Sequence, residues 1–229
     1  MVPVPDVSGV ALLMAEPTRA AILASLLDGR ARAAGELASR AGVSAQAASN
    51  HLARLLSSGL LEVQTRGRQR HYRLSGRDVA QALEALAALE PALPRRAASP
   101  VPMGLRFART CYDHLAGVLG VALTEALTGG GFLVEEGLSY RTTPRGELHF
   151  AGWGMPPGPL RQGRRPFARA CLDWSERRPH LAGALGAALL ERLLALRWVV
   201  RIPEGRAVRL TLAGRRALET QLRLRLPAS

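Results

Sequence analysis

Lysine is absent from the chain. All 31 basic residues are arginine, which beside abundant Ala, Gly and Leu reflects a GC-rich genome more than a functional choice. Cysteine occurs twice in 229 residues, too few for a disulfide framework. The two thiols are therefore core residues, or else a redox or ligand device. Aromatic residues are 4% of the chain, and the basic C-terminal part lacks the stacking platform that RNA recognition calls for. No apolar run has the length and purity of a membrane span, and M-V-P-V-P-D carries no basic segment followed by an apolar one. The expected location is the cytoplasm, with no membrane partner. Neither a phosphate-cradling glycine loop, nor H-E-x-x-H, nor G-x-S-x-G occurs. Glu135 and Glu136 form a lone acidic pair, better read as solvated than catalytic. No enzyme activity, catalytic residue or cofactor is expected.

The formal net charge is +13, which favours a polyanionic partner. Residues 1–90 hold 10 arginines against 8 acids, and residues 91–229 hold 21 against 10. Most of the excess thus lies in the C-terminal part. There it serves flanking phosphates, an anionic effector or plain solubility.

The stretch Ser44 to Tyr72 organises the rest. Ser44 is a good N-cap, and Ala48, Leu52, Leu55 and Leu56 recur at helical spacing. Gln46, Ser49 and Asn50 fall on the opposite face near the helix start, and Gly59 stops the helix. An alternating run (Leu61, Val63, Thr65), a turn over Arg66 to Gln69, and a second run (Arg70, Tyr72, Leu74) follow. Short amide and hydroxyl side chains at a helix start can reach base edges in a major groove. Arginines at a hairpin tip suit phosphates or a neighbouring minor groove. An amphipathic helix with a solvated polar face is the plainer reading. The coincidence of polar face, glycine stop and basic hairpin favours DNA, with Gln46, Ser49 and Asn50 as base readers and Arg54, Arg66, Arg68 and Arg70 on the backbone.

Four pieces taken in order, Glu16 to Gly29, Gly35 to Val43, Ser49 to Leu60 and the basic hairpin, resemble the ArsR/SmtB-type winged helix-turn-helix repressors over about the first 90 residues. The resemblance implies a homodimeric transcription regulator that binds a double-stranded DNA operator and releases it on sensing a signal. It also implies a dimer interface made by the first and last helices of this domain. Residues 6–15 carry an apolar stripe (Val7, Val10, Ala11, Met14), and Arg77 to Leu89 is apolar on several sides and should be buried on several sides. Between them, Pro17 opens a helix that Asp28 and Gly29 end. The family's metal sites place Cys in the helix corresponding to Glu36 to Gly42, or Asp and His along the last helix. Here the first has no thiol and the second has Asp78 without a histidine, so sensing at those positions is disfavoured. A protein-interaction module whose winged helix no longer reads DNA is the alternative from another class.

Four prolines mark residues 91–103 as a stiff linker. Beyond it the chain repeats itself. Phe107 to Asp113 matches Phe167 to Asp173, and His114 to Leu127 matches His180 to Leu193, with six extra residues, Trp174 to Pro179, in the second copy. Each copy continues with a short apolar strand (Phe132 to Val134, Trp198 to Val200), a hairpin and a Thr/Gly-led helix start (Thr142 to Gly146, Thr211 to Gly214). Gly152 to Pro159 joins the copies as a loop. The expected fold is mainly α with small β-hairpins. It comprises a winged helix-turn-helix over 1–90 and a sensing or scaffold domain over 104–229, built of two degenerate winged-helix-like repeats at about 104–150 and 164–225.

Cys111 and Cys171 are equivalent in the two copies, as are His114 and His180, and Asp113 and Asp173. A thiolate–imidazole metal site and a thiol switch are open to such residues, with a small-molecule or redox effector. Against both, Cys in apolar helices is usually inert. The expectation is that each Cys packs in its own copy, with neither a disulfide nor a shared metal, while each neighbouring Asp–Arg pair bonds locally. Trp153, Trp174 and Trp198 either line an effector pocket or plug the core.

Overall fold

The computed structural model describes residues 7–67, 69–89, 103–203 and 206–226. Arg68 and the expected linker up to residue 102 lie outside them. The chain divides into two compact units, residues 1–83 and 84–229, so the division falls inside the helix at Arg77 rather than after it. Among the described residues no helix is long and apolar enough to cross a membrane.

The first unit opens with α1 (Ser8–Ala15) and α2 (Pro17–Ser25). Glu16 caps α2, its carboxylate accepting from the Thr18 and Arg19 amides at 3.0 and 2.8 Å, and Pro17 takes the first helical position. The helix ends at Ser25, earlier than Asp28 and Gly29 suggest, and a turn carries the chain on to Gly29. Asp28 is diverted inward, where it receives both Nη atoms of Arg32 at 2.8 and 2.7 Å. Both side chains of this bidentate pair are buried, and the pair anchors β1 (Arg32–Ala33), which adds to the edge of the later hairpin. Next come α3 (Ala34–Ala41), closed by left-handed Gly42, and α4 (Ala45–Ser57). Ile22, Leu23, Leu37, Ala48, Leu52 and Leu55 from these three helices are buried. The hairpin β2 (Leu61–Arg66) and β3 (Gln69–Leu74) completes a three-stranded sheet, β1-β3-β2.

The helix α5 (Arg77–Leu89) follows the hairpin. Leu86 and Leu89 are 51% and 62% exposed, and on α1 Leu12 is 71% exposed. A single chain buries Met14 of α1 and Ala80 of α5 but leaves these leucines exposed.

The second unit is α6 (Met103–Phe107), β4 (Arg109–Cys111), β5 (His114–Ala116), α7 (Gly117–Gly129), β6 (Leu133–Glu136), β7 (Ser139–Thr142) and α8 (Pro144–Gly152). It then continues with α9 (Pro157–Arg161), β8 (Arg169–Leu172), β9 (Pro179–Ala182), α10 (Gly183–Ala195), β10 (Val199–Arg201), β11 (Val208–Leu210) and α11 (Leu212–Leu222). Each repeat is thus hairpin, helix, hairpin, helix. The winged-helix-like order expected from the sequence covers only the last three of these, because the segments that form the first hairpin, β4–β5 or β8–β9, carry no clear strand period. The join at Gly152 to Pro159 is likewise not all loop, since α9 begins at Pro157.

The repeats are interlocked by a reciprocal exchange of hairpins. β7 of the first copy pairs with β8 of the second to give the sheet β6-β7-β8-β9. In return, the segment leading into β11 bridges β4, Arg109 facing Ala207, with Thr110 N–H donating to the Arg206 carbonyl at 2.7 Å. The helices cross over too, α7 packing on β9 and α10 on β5. Two glycines make room for this. A Cβ at Gly120 or Gly186 would lie 2.5 Å from the carbonyl oxygen of Leu115 or Leu181 and, beyond it, would face His180 or His114 of the other copy. One continuous core results, with Leu119, Leu123 and Leu127 of α7, Leu185, Leu189 and Leu193 of α10, Phe150 and Trp153.

Candidate functional site

Two sites emerge, one in each unit. In the first, the Ser44 hydroxyl accepts from the Ala47 amide at 3.2 Å and so starts α4 at a fixed point. With Ala48, Leu52 and Leu55 turned inward, Gln46, Ser49 and Asn50 stand exposed on the opposite face, and Arg54 one turn later. Gly59 adopts φ +72° and releases the chain into β2. Arg66 and Gln69 are partners at the end of the β2–β3 ladder, so the hairpin closes through a two-residue loop with Gly67 at φ +60°, a conformation that glycine tolerates best. Arg70 is exposed beside it, its guanidinium 5.7 Å from the Tyr72 ring. The sequence therefore placed the helix start, its polar face and the hairpin correctly. The structure leaves them displayed on one surface element each.

In the second unit the structure brings together the two cysteines, expected to pack each in its own copy. Cys111 and Cys171 lie on β4 and β8, not on helices, and each is the cross-strand partner of a histidine, Cys111 of His114 and Cys171 of His180. Cross-strand partners share one face of a hairpin, and the two faces are turned toward each other by the hairpin exchange. The sulfurs come to 4.0 Å, and the two histidine Nε2 atoms to 3.1 Å. All four side chains are buried, and their donor atoms lie within 4.8 Å of one another. Both cysteines are free thiols.

The neighbouring charges cross between copies as well, contrary to the local pairing expected. Arg109 Nη2 donates to Asp173 Oδ1 at 2.8 Å, both side chains being fully buried. The same carboxylate accepts from the Gly117 amide at 2.7 Å, capping α7 from the other repeat. Asp113 accepts from Arg165 at 3.0 Å. Each aspartate also sits behind a histidine, Asp113 Oδ1 at 3.3 Å from His114 Nδ1 and Asp173 Oδ2 at 3.5 Å from His180 Nδ1. The Cys111 thiol, together with both imidazoles, holds Cys171 far below a free thiol despite burial, while Cys111 itself is raised by its bond to Cys171 and by burial. Burial disfavours the His114 imidazolium, but Asp113 and Cys171 outweigh it and its pKa is raised.

The tryptophans divide between roles. Trp153 is in the core, edge-on to Trp198 at 5.5 Å, with its indole N–H donating to Gln221 at 2.9 Å. Trp174 lies under the Arg109 guanidinium at 4.5 Å. A cleft of about 800 Å³ bordered by Phe132, Arg145, Arg223 and Arg225 contains none of the three.

A short helix, a left-handed glycine turn, a capped helix with an exposed polar face and a basic hairpin define a winged helix-turn-helix, the fold of a DNA-binding transcription regulator. The chain belongs to the HTH-type transcriptional regulators. A family model for a helix-turn-helix domain matches residues 14–64. The HTH-type transcriptional regulator YdfF of Bacillus subtilis is 43% identical over 224 residues, 97% of this chain and 99% of that protein, so the likeness includes the second unit. The HTH-type transcriptional regulator CmtR of Mycobacterium tuberculosis is 38% identical over 93 residues, 38% of this chain and 78% of its own length. Among solved structures, the homodimeric winged helix-turn-helix DNA-binding domain Mb0332 of Mycobacterium bovis shares 28% identity over 40% of this chain and 91% of its own, with a TM-score of 0.32.

Proposed function

We propose that this regulator is a cytoplasmic homodimeric repressor. Gln46, Ser49 and Asn50 read operator bases, and Arg54, Arg66, Arg68 and Arg70 hold the backbone. Residues 1–90 form the DNA-binding and dimerisation domain, and residues 104–229 receive the signal that releases the operator. The observation that carries the reading is the exposed polar face of α4 beside a two-residue basic hairpin, since a helix start presents side chains to base edges and arginines beside it neutralise phosphates. Leu12 on α1 is exposed, as are Leu86 and Leu89 on α5, and each helix thus offers apolar side chains that a second copy would cover.

A gel-shift titration against the DNA upstream of the protein's own gene tests the reading. Gln46→Ala should change which operator variants bind best. Arg70→Ala should weaken operator and random DNA alike and flatten the log–log salt slope by about one. Should neither substitution alter binding, α4 and the hairpin are not the reading surface.

A further inference from the structure

We propose that Cys111, His114, Cys171 and His180 form a closed tetrahedral site for a divalent cation of the zinc class, shared between the two repeats. Two sulfur and two imidazole donors are the set that such an ion takes in structural sites, and thiolates select against calcium or magnesium. The spacing fits. With bonds of about 2.3 Å to sulfur and 2.0–2.1 Å to nitrogen, a tetrahedral ion needs S···S of roughly 3.8 Å and N···N of roughly 3.3 Å. The structure has 4.0 and 3.1 Å for these like pairs, and all four donor atoms lie within 4.8 Å of one another, so the sulfur and nitrogen atoms would draw together by up to about 1 Å around an ion that needs S···N of roughly 3.6 Å.

The surroundings point the same way. A ligating histidine usually directs its second ring nitrogen at a carboxylate, which fixes the tautomer; here His114 Nδ1 meets Asp113 at 3.3 Å, and His180 Nδ1, which has no hydrogen-bond partner, lies 3.5 Å from Asp173. Where both imidazoles carry the proton on Nδ1, the two Nε2 lone pairs meet across 3.1 Å, a position that a cation fills. Two thiolates and one divalent ion sum to zero charge, which suits a site from which water is excluded. A disulfide would use the two sulfurs and leave the imidazole pair without a role. The four ligands come from two hairpins some sixty residues apart in the chain, so binding the ion would couple to docking of the repeats. All four lie in the second unit, outside the winged helix.

The test uses the full chain, purified reduced, stripped of metal and titrated with Co²⁺ as a spectroscopic probe. One Co²⁺ per chain should bind, giving the visible bands of tetrahedral cobalt and a thiolate-to-cobalt charge-transfer band in the near ultraviolet. Zn²⁺ should displace it and slow alkylation of both thiols. Cys171→Ser should diminish the charge-transfer band, and Asp113→Asn should weaken the ion by about 10–100-fold with its ligands intact. Wild-type protein that is folded by circular dichroism yet shows no tetrahedral cobalt spectrum would overturn the proposal. So would a Cys111–Cys171 disulfide forming at the same rate with and without Zn²⁺, which would mark a thiol switch. The wild-type titration decides the matter even if the variants fail to fold. DNA takes no part in these measurements, so their failure leaves the operator reading untouched, and failure of the gel shifts leaves the metal site untouched.

Discussion

Asp173 is the residue on which the second unit's interlocking most depends, and its removal should cost more than removal of its partner Arg109. Asp173 accepts from Arg109 Nη2, the Ser175 hydroxyl and the amides of Gly117, Ser175 and Glu176, at 2.7 to 3.1 Å. In an Asp173→Ala variant the fully buried Arg109 guanidinium keeps only the Ser175 hydroxyl at 3.0 Å, the Leu105 carbonyl at 3.5 Å and the face of Trp174. Among the described residues no other carboxylate bonds to it. Breaking a buried pair in this way costs about 3–5 kcal/mol, against a stability of about 5–15 kcal/mol for a domain. In Arg109→Met, by contrast, the carboxylate retains four donors and the methionine refills much of the volume, so about 1–3 kcal/mol is expected. All three tryptophans, Trp153, Trp174 and Trp198, lie in this unit, so indole fluorescence during urea unfolding follows it without the winged helix. At a slope of about 2 kcal/mol per molar, the Asp173→Ala midpoint should drop by roughly 2 M, and that of Arg109→Met by about half as much or less. Equal shifts, the reverse order, or two shifts below about 0.5 M would refute the reasoning, because the buried charge would then have found water or another partner.

Other expectations are as direct. Glu16, the α2 cap, has its pKa lowered to about 2, burial opposing its charge but the Arg19 and Thr18 amides prevailing. A depressed carboxylate stabilises the fold above its unfolded value near 4.5 and loses that contribution as pH falls toward 2, so Glu16→Ala should cost about 0.5–2 kcal/mol at neutral pH. The gap should close in acid, and a gap that persists at pH 2 would mean that the cap is not the source. Gly146 and Gly214 open α8 and α11, and a Cβ at either would overlap the carbonyl oxygen of Phe132 or Trp198. Alanine at either should therefore lose about 1–3 kcal/mol in the fluorescence assay, whereas Gly152→Ala, which meets nothing within 4 Å, should be nearly neutral. For the proposed metal site, free Zn²⁺ at a hundred times its dissociation constant should raise the second unit's stability by about 2.7 kcal/mol. Unchanged urea midpoints with Zn²⁺ bound would show that the ion does not bridge the repeats.

The winged helix was legible because its determinants are local. Ser44 caps the next three residues, Gly42 and Gly59 supply the left-handed turns, and Gly67 closes a two-residue loop. Each feature acts within one turn of chain, so residue order alone specifies it. What a local window there does not show is the pairing of β1 with β3, Arg32 facing Tyr72 and Ala33 facing His71, which the buried Asp28–Arg32 pair supports. In the second unit the duplication itself could be read, as could the later strands and the Thr143 and Thr211 helix caps. The first hairpin of each repeat was missed because F-A-R-T-C-Y-D-H-L-A has the composition of a buried segment without a clear period, and a left-handed tyrosine, Tyr112 at φ +57°, makes its turn. That misreading hid the alternation which puts Cys111 opposite His114 and Cys171 opposite His180.

The sequence by itself therefore determined which residues come in equivalent pairs and which local turns they flank. Whether those pairs meet was decided by the tertiary structure, through the exchange of hairpins between repeats and the missing Cβ atoms of Gly120 and Gly186 that admit the other copy's histidine. Strand pairing between segments as distant as Ser139 and Arg169, or Arg109 and Ala207, depends on register and on burial of both faces at once. No local window of the chain carries that information, and so two cysteines expected to be apart stand 4.0 Å from each other.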